Sequence, residues 1–288
     1  MEQSAFYSSS DIENAANALG KLRPAYADIL DFYKEVFVRQ EESEQHLQLE
    51  PVQIPEHVLA VKQKEGFPLI QMSEFRVDTD AADKLLETLC HMAINTNQTL
   101  STAAEGILKA REEGVLNPDV LCQKLLDTDD LFFREIAERI DIDQQALMFF
   151  VYNCVKPFLS GCARGLSRYL PPSDAWGESI CPVCGNLPGL ASIEGRGERW
   201  LHCGFCWTKW RIQRVLCVFC QNEDHAKLQY FYSEAESEYR VDTCDQCRHY
   251  LKTVDLRKID RVFYPPLEQV ATLHLDMKAG ELGYRNEK

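Results

Sequence analysis

Four pairs of cysteines, each separated by two residues, crowd one stretch of this chain: Cys181 with Cys184, Cys203 with Cys206, Cys217 with Cys220, and Cys244 with Cys247. One such pair is also the signature of a redox dithiol, but four so close together point to metal binding. Two thiolates two residues apart can wrap one ion from a single tight turn, a knuckle, and two knuckles complete a tetrahedron. Eight ligands therefore suffice for two four-thiolate sites, and three pairings of the knuckles are possible.

The gaps between knuckles are 18, 10 and 23 residues. An internal repeat favours the first knuckle with the second and the third with the fourth. Arg199 and Arg240 stand four residues ahead of the closing knuckle of each half, with Trp200 and Val241 one residue later. Both stretches read as strands feeding a knuckle. Beyond the closing knuckles, Trp207 and Trp210 in one half, and Tyr250 and Leu251 in the other, could cover the ion. Each half is then a three-stranded module of about forty residues, too small to fold on its own core, so that the metal supplies what burial cannot. Spacing does not choose the metal, because four thiolates in a tetrahedron suit zinc and mononuclear iron alike.

Other reactive side chains carry weaker signals. His202, His225 and His249 lie near knuckles and could each replace a thiolate, but eight cysteines already fill two sites, so a supporting or exposed role is expected. His274 reads as packing or surface. Cys90, Cys122, Cys154 and Cys162 sit among apolar neighbours on helical stretches without a partner at knuckle spacing, as core thiols do. Gly195, Arg196 and Gly197 make a hairpin turn. No phosphate-binding glycine loop and no Ser/His/Asp arrangement can be argued from spacing.

The elements around the knuckles predict an α+β multidomain chain. An all-helical domain is expected over 1–172, one four-Cys module over 173–214, a second over 215–258, and a C-terminal helix with a tail over 259–288. In the helical part Asp11 is expected to cap a short helix, and Pro24 to open another carrying Ile29, Leu30, Tyr33, Val36 and Phe37 on one face. Residues 50–79 read as a connection with a helical turn or two. Thr79 or Asp80 caps the next helix, and a further one stops at Gly114. Asn117, Pro118 and Asp119 form a strong start signal, and helices follow over 129–140 and 143–155. Pro157 begins or kinks another, and Pro171 and Pro172, with Ser173 and Asp174, mark the boundary. Pro265 and Pro266 break the chain before a last helix over 267–278.

Charge and hydropathy narrow the function. Of 288 residues, 31 are Lys or Arg and 45 Asp or Glu, a net charge of −14. Residues 176–260 are nearly neutral, so the acid lies elsewhere, which disfavours nonspecific nucleic-acid binding. The apolar run from Ala146 to Leu159 is too short to span a bilayer. With no apolar leader at its start, the chain reads as cytoplasmic and soluble.

The knuckle block resembles that of the formate dehydrogenase accessory protein FdhE family. The resemblance rests on Cys181, Pro182, Val183, Cys184 and Gly185, on Leu201 to Cys206 followed by Trp207, Thr208, Lys209 and Trp210, and on the pairs at Cys217 and Cys244. The opening (Leu22, Arg23, Pro24, Tyr26, then Ile29 to Tyr33) and the ending (Leu273 to Asp276, then Gly283 and Tyr284) are also similar. The resemblance implies a helical N-terminal domain, two rubredoxin-like or zinc-ribbon-like modules, and a non-enzymatic maturation factor. That factor contacts the catalytic, molybdenum- or tungsten-carrying subunit of formate dehydrogenase. It implies metal held by the eight knuckle cysteines, iron in the first place and zinc as the alternative. A partner surface is expected on the modules, with Trp207, Trp210, Arg211 and Arg214 as anchors alongside Phe219 and Tyr250, since aromatics and arginines are typical of interfaces. A rubredoxin-type electron carrier, a zinc-ribbon nucleic-acid binder and a thiol oxidoreductase stay open as rivals.

Overall fold

The computed structural model describes residues 7–47, 51–172 and 176–286. Ser173 and Asp174 of the expected boundary, and the last two residues of the tail, lie outside them. The chain forms two compact units, one over 36–51 and 71–162, the other over 1–35, 52–70 and 163–288.

The first of these is helical. It holds α4 (Thr79–Ala93), α5 (Gln98–Glu112), α6 (Pro118–Leu126) and α7 (Asp130–Arg139), with the end of α2 (Ala27–Gln45) and most of α8 (Gln144–Leu166). Asp78 caps α4 one residue before the expected position, its carboxylate accepting from Ala81 N at 3.0 Å. Asn117 caps α6 with Pro118 in the first turn, as the sequence indicates. The core is built from Leu86, Leu89, Ile107, Phe133, Leu147 and Phe150, all fully buried.

Pro157 neither starts nor ends a helix; α8 runs through it. A proline there removes the donor for the carbonyl four residues back, that of Asn153. The Gln40 amide takes the vacated place, Nε2 donating to Asn153 O at 2.9 Å and to its Oδ1 at 2.8 Å. Gln40 and Asn153 are buried, so this contact satisfies groups that water does not reach. The stretch Gln144–Tyr169, with an 18-residue window of mean hydropathy 1.3, is long and apolar enough to cross a membrane, but 72% of that window is buried within the protein, as in a core helix.

The other unit carries the knuckles. Its helices α1 (Ser9–Leu22) and α3 (Glu56–Glu65) precede one six-stranded sheet made of β1 (Pro188–Glu194), β2 (Glu198–Cys203), β3 (Lys209–Ile212), β4 (Leu228–Phe231), β5 (Tyr239–Cys244) and β6 (Tyr250–Asp255). The helix α1 is capped by Ser8, with Asp11 as the return partner of a capping box rather than as the cap. The strand order is β3-β2-β1-β6-β5-β4. Each half is an antiparallel three-stranded piece, and the register repeats: Arg199 faces Ile212 in the first, Arg240 faces Thr253 in the second. The halves join where β1 pairs in parallel with β6, Ala191 opposite Thr253 and Ile193 opposite Asp255.

Instead of one last helix the chain forms α9 (Pro265–Ala271) and α10 (Leu273–Glu281). Thr272 separates them, its hydroxyl donating to Glu268 O at 2.6 Å while its backbone leaves the helical region. Leu275 and Ala279 of α10 complete a core with Leu190, Tyr239, Val241, Tyr250 and Val254.

The two ends that carry the sequence resemblance meet on this unit. Arg23 lies over the Tyr239 ring, 5.0 Å from its centroid, and pairs with Glu236. His274 Nε2 lies 2.9 Å from the other Glu236 oxygen, and Tyr26 packs against the His274 ring at 6.0 Å.

Candidate metal centres

The eight knuckle cysteines come together in two groups of four. One is Cys181, Cys184, Cys203 and Cys206; the other is Cys217, Cys220, Cys244 and Cys247. Knuckle one thus faces knuckle two, and three faces four, the pairing read from the repeat. Each group straddles a three-stranded piece. Its opening knuckle precedes the first strand, and its closing knuckle joins the second to the third.

The knuckles share a local turn. In three of them the amide of the residue after the second cysteine turns back to the carbonyl of the first, Gly185 N to Cys181 O (2.9 Å), Gln221 N to Cys217 O (2.8 Å) and Arg248 N to Cys244 O (2.8 Å). That residue is left-handed each time, with φ of 75° at Gly185, 59° at Trp207, 58° at Gln221 and 61° at Arg248. Only the first is a glycine, so three knuckles hold a side chain in a conformation it rarely adopts. Trp207 is one of these turn residues. Gly204 shows why a side chain is absent elsewhere: a methyl on Gly189 would lie 3.0 Å from the Gly204 Cα. The second knuckle therefore presses on the start of β1, where Gly204 N donates to Leu187 O at 3.0 Å.

The sulfur geometry fits a tetrahedral ion. In the first group Sγ–Sγ separations are 3.6 Å for Cys181–Cys206, 3.5 Å for Cys184–Cys203 and 3.5 Å for Cys184–Cys206. In the second they are 3.6 Å for Cys217–Cys247 and 3.7 Å for Cys220–Cys244. A disulfide would bring two sulfurs to about 2.0 Å. A tetrahedron with metal–sulfur bonds of about 2.3 Å has edges of about 3.8 Å. The observed edges fit the second figure.

The charge balance asks for a cation too. Burial pushes the thiols of Cys181 and Cys203 well up. At Cys206 burial acts the same way but is overcome by hydrogen bonds from Cys181, Cys184, Cys203 and Thr208, which hold this thiol well below the usual range. In the second group burial raises Cys217, and takes Cys247 up to about 11. At Cys244 burial is overcome by the amides of Cys247 and Gln246. Four buried thiolates are untenable alone and stable around a divalent or trivalent ion.

Further donors surround the sulfurs. Phe205 N and Cys206 N point at Cys203 Sγ at 3.3 and 3.4 Å, and Thr208 Oγ1 lies 3.1 Å from Cys206 Sγ. Asn186 and Asn222 send Nδ2 toward the sulfurs of Cys184 and Cys244, each at 3.8 Å. Their carbonyls receive the amides of Cys181 and Cys217 at 2.8 and 2.9 Å. Sequence reasoning passed over these asparagines, although the repeated signal was present, an Asn two residues after the second cysteine of the first and third knuckles. It also passed over residues 69 and 70, whose amides donate to Pro182 O and Val183 O at 2.9 and 3.0 Å and brace the first knuckle from outside the module.

The two groups differ in exposure. All four cysteines of the first are buried, whereas Cys220 and Cys247 of the second are half-buried. No histidine joins either group of four cysteines among the described residues. His249 is buried, its Nδ1 2.9 Å from Cys247 O and its ring stacked on Phe219 at 5.0 Å. His202 is buried against Phe263 with Nε2 2.9 Å from Ser192 Oγ; burial, with Lys209 nearby, takes its pKa down to about 3, so the ring is neutral. His225 is exposed. Cys90, Cys122 and Cys154 are buried and form no ligand group with other described residues.

Of the expected partner anchors, Trp210 is corrected. It is only 3% exposed, and its indole N–H donates to Glu178 O at 3.1 Å, because its place on β3 points it inward. Tyr250 is likewise buried, its hydroxyl donating to Asp276 at 2.8 Å. Trp207 and Phe219 are half-buried, while Arg211 and Arg214 are exposed.

Fold and site together define a class, a protein that combines a helical part with a six-stranded sheet bearing two four-cysteine knuckle groups. Residues 180–214 match the family model "FdhE, central domain", and residues 215–288 match "FdhE, C-terminal domain". An FdhE homolog from Aquifex aeolicus is 34% identical over 147 residues, half of this chain and half of its own. One from Haemophilus influenzae is 24% identical over 161 residues, 55% of this chain and 53% of its own. FdhE of Escherichia coli is 33% identical over 108 residues, 36% of this chain and 34% of its own. The chain thus spans about half the length, or less, of these curated relatives. The crystal structure of FdhE from Pseudomonas aeruginosa shares the fold, with a TM-score of 0.69 at 22% identity, over 98% of this chain and 94% of that one. The resemblance to the FdhE family is shown, in sequence over the knuckle modules and the C-terminal helices, and in fold over nearly the whole chain.

Proposed function

We propose that this chain is a cytoplasmic, non-enzymatic accessory factor for formate dehydrogenase. It binds the catalytic subunit during maturation and carries one metal ion in each four-cysteine group. The observation that carries the reading is the coincidence of the matched FdhE domains with the residues that gather both cysteine groups. The ligands are Cys181, Cys184, Cys203 and Cys206 for one ion, and Cys217, Cys220, Cys244 and Cys247 for the other. Amides and asparagines aimed at the sulfurs would tune either iron or zinc. Iron is favoured on the family resemblance. The ions hold the two modules in shape, and Trp207, Arg211 and Arg214 present the partner surface.

Two measurements test this. Metal analysis with a visible spectrum, on protein purified without air, should give two ions per chain, with iron–thiolate absorption. Retrieval of the catalytic subunit should weaken in the Arg211→Ala/Arg214→Ala variant at full metal content; unchanged retrieval overturns the assigned surface. A rubredoxin-type electron carrier is the second reading, favoured by the half-buried Cys220 and Cys247, which would let electrons reach the second ion. A reversible potential on the iron-loaded protein would support it.

A further inference from the structure

The edge of the sheet nearest the first cysteine group is lined with arginines. β3 is the edge strand, and its outer side pairs with no other strand among the described residues. At the end of this strand lies a groove of about 700 Å³, walled by Arg211 and Arg214 from the last residues of β3 and its continuation, by Arg196 at the tip of the β1–β2 hairpin, and by Arg199 and Trp176. A methyl on Gly197 would lie 2.9 Å from Arg214 Nη1 and 3.5 Å from Arg257 Nη1, so two guanidiniums converge over one glycine.

These charges are only partly neutralised from within. Arg257 is held by both oxygens of Asp255 at 2.7 Å. Arg196, Arg211 and Arg214 have no carboxylate at ion-pair distance among the described residues. Glu198 lines the groove, its Oε2 accepting from Arg196 N at 2.7 Å; backbone amides, with the charges of Arg211 and Arg196, hold its carboxyl below the usual range, so this one carboxylate faces a surplus of guanidiniums. Arg199 is 4% exposed; its nearest carboxylate, Asp242, is 3.5 Å away, and its Nε finds no partner among the described residues. A buried cation so weakly compensated projects positive potential into the groove beside it.

We infer that this groove binds an extended, acidic polypeptide segment, whose backbone pairs with the free edge of β3 and whose carboxylates meet Arg196, Arg211 and Arg214. Edge pairing supplies affinity along the strand, and guanidinium–carboxylate forks supply selectivity. A lone oxyanion would fill a small part of the volume and would leave the strand edge unused. The inference names the chemistry of the partner and rests on the accessory-factor reading only for that partner's identity.

The test uses the full-length, metal-loaded chain and fluorescein-labelled decapeptides read by anisotropy. A peptide alternating Glu and Thr should bind, and its Lys/Thr counterpart should not. Affinity should fall by about tenfold or more in Arg211→Gln/Arg214→Gln, and steeply as salt rises. Metal content and melting temperature establish that the variant is folded. Arg211→Lys/Arg214→Lys should recover part of the loss, since charge returns without the fork. Two Glu/Thr peptides, N-methylated at odd or at even positions, separate pairing from charge: one of them should lose binding. Equal binding of the Lys peptide, indifference to the Gln variant, or indifference to both methylated peptides would overturn the inference. So would binding of inorganic pyrophosphate with none of the acidic peptide. If the Gln variant loses the peptide but still retrieves the formate dehydrogenase subunit, the groove stands and the assigned partner fails.

Discussion

Lys252 Nζ lies 2.7 Å from Asp276 Oδ2, joining the middle of β6 to α10. The lysine is only 1% exposed and also donates to the Gln269 carbonyl at 3.0 Å. Breaking a buried pair from one side leaves a charge without compensation, which costs about 3–5 kcal/mol. Lys252→Ala should therefore lower unfolding free energy by about 3 kcal/mol, the low end because Asp276 keeps some solvent and the Tyr250 hydroxyl. Urea unfolding of the metal-loaded protein measures it. Loss of less than about 0.5 kcal/mol would mean that the pair is not formed in solution.

Glu236 links Arg23 near one end of the chain to His274 near the other. Burial would raise its carboxyl, but hydrogen bonds from Arg23 and His274 outweigh this and hold it below the usual glutamate range. A depressed carboxylate pKa contributes stability that is present above the unfolded value of about 4.3 and is lost as pH falls through the folded value. Glu236→Gln should flatten the acid limb of stability against pH while changing its slope little above pH of about 6. An acid limb identical to wild type would show that the group does not hold these ends together.

The second cysteine group should release its ion before the first, because Cys220 and Cys247 are half-buried and all four cysteines of the first group are buried. A chelator added with a thiol reagent should give two phases. Cys217→Ser should abolish the fast phase and Cys203→Ser the slow one. A single phase in the native protein would contradict this assignment.

Thiols of the helical unit should stay silent in the same experiment. Burial pushes Cys90 and Cys122 up to about 12. Near pH 8 their thiolate fraction is on the order of one in ten thousand, and the thiolate is the reactive form. Native-state labelling resolved by mass spectrometry should find them unmodified until the protein unfolds; fast labelling of either would place it at the surface.

The gathering of eight knuckle cysteines into two fours and the strands between them were legible because a knuckle is a local object: two cysteines, one tight turn and the sulfur directions lie within a few residues. The capping signal at Asn117, Pro118 and Asp119 is local in the same way. Only the tertiary structure decided that β1 joins β6, that residues 69 and 70 brace the first knuckle, and that Gln40 answers the carbonyl freed by Pro157. It also decided that Trp210 turns inward while Arg196, Arg211 and Arg214 share a groove at the sheet edge. Spacing along the chain carries no information about which distant backbone will satisfy a donor, or which face of a short strand will be covered. Those outcomes follow from packing elements far apart in sequence, and no single stretch encodes them.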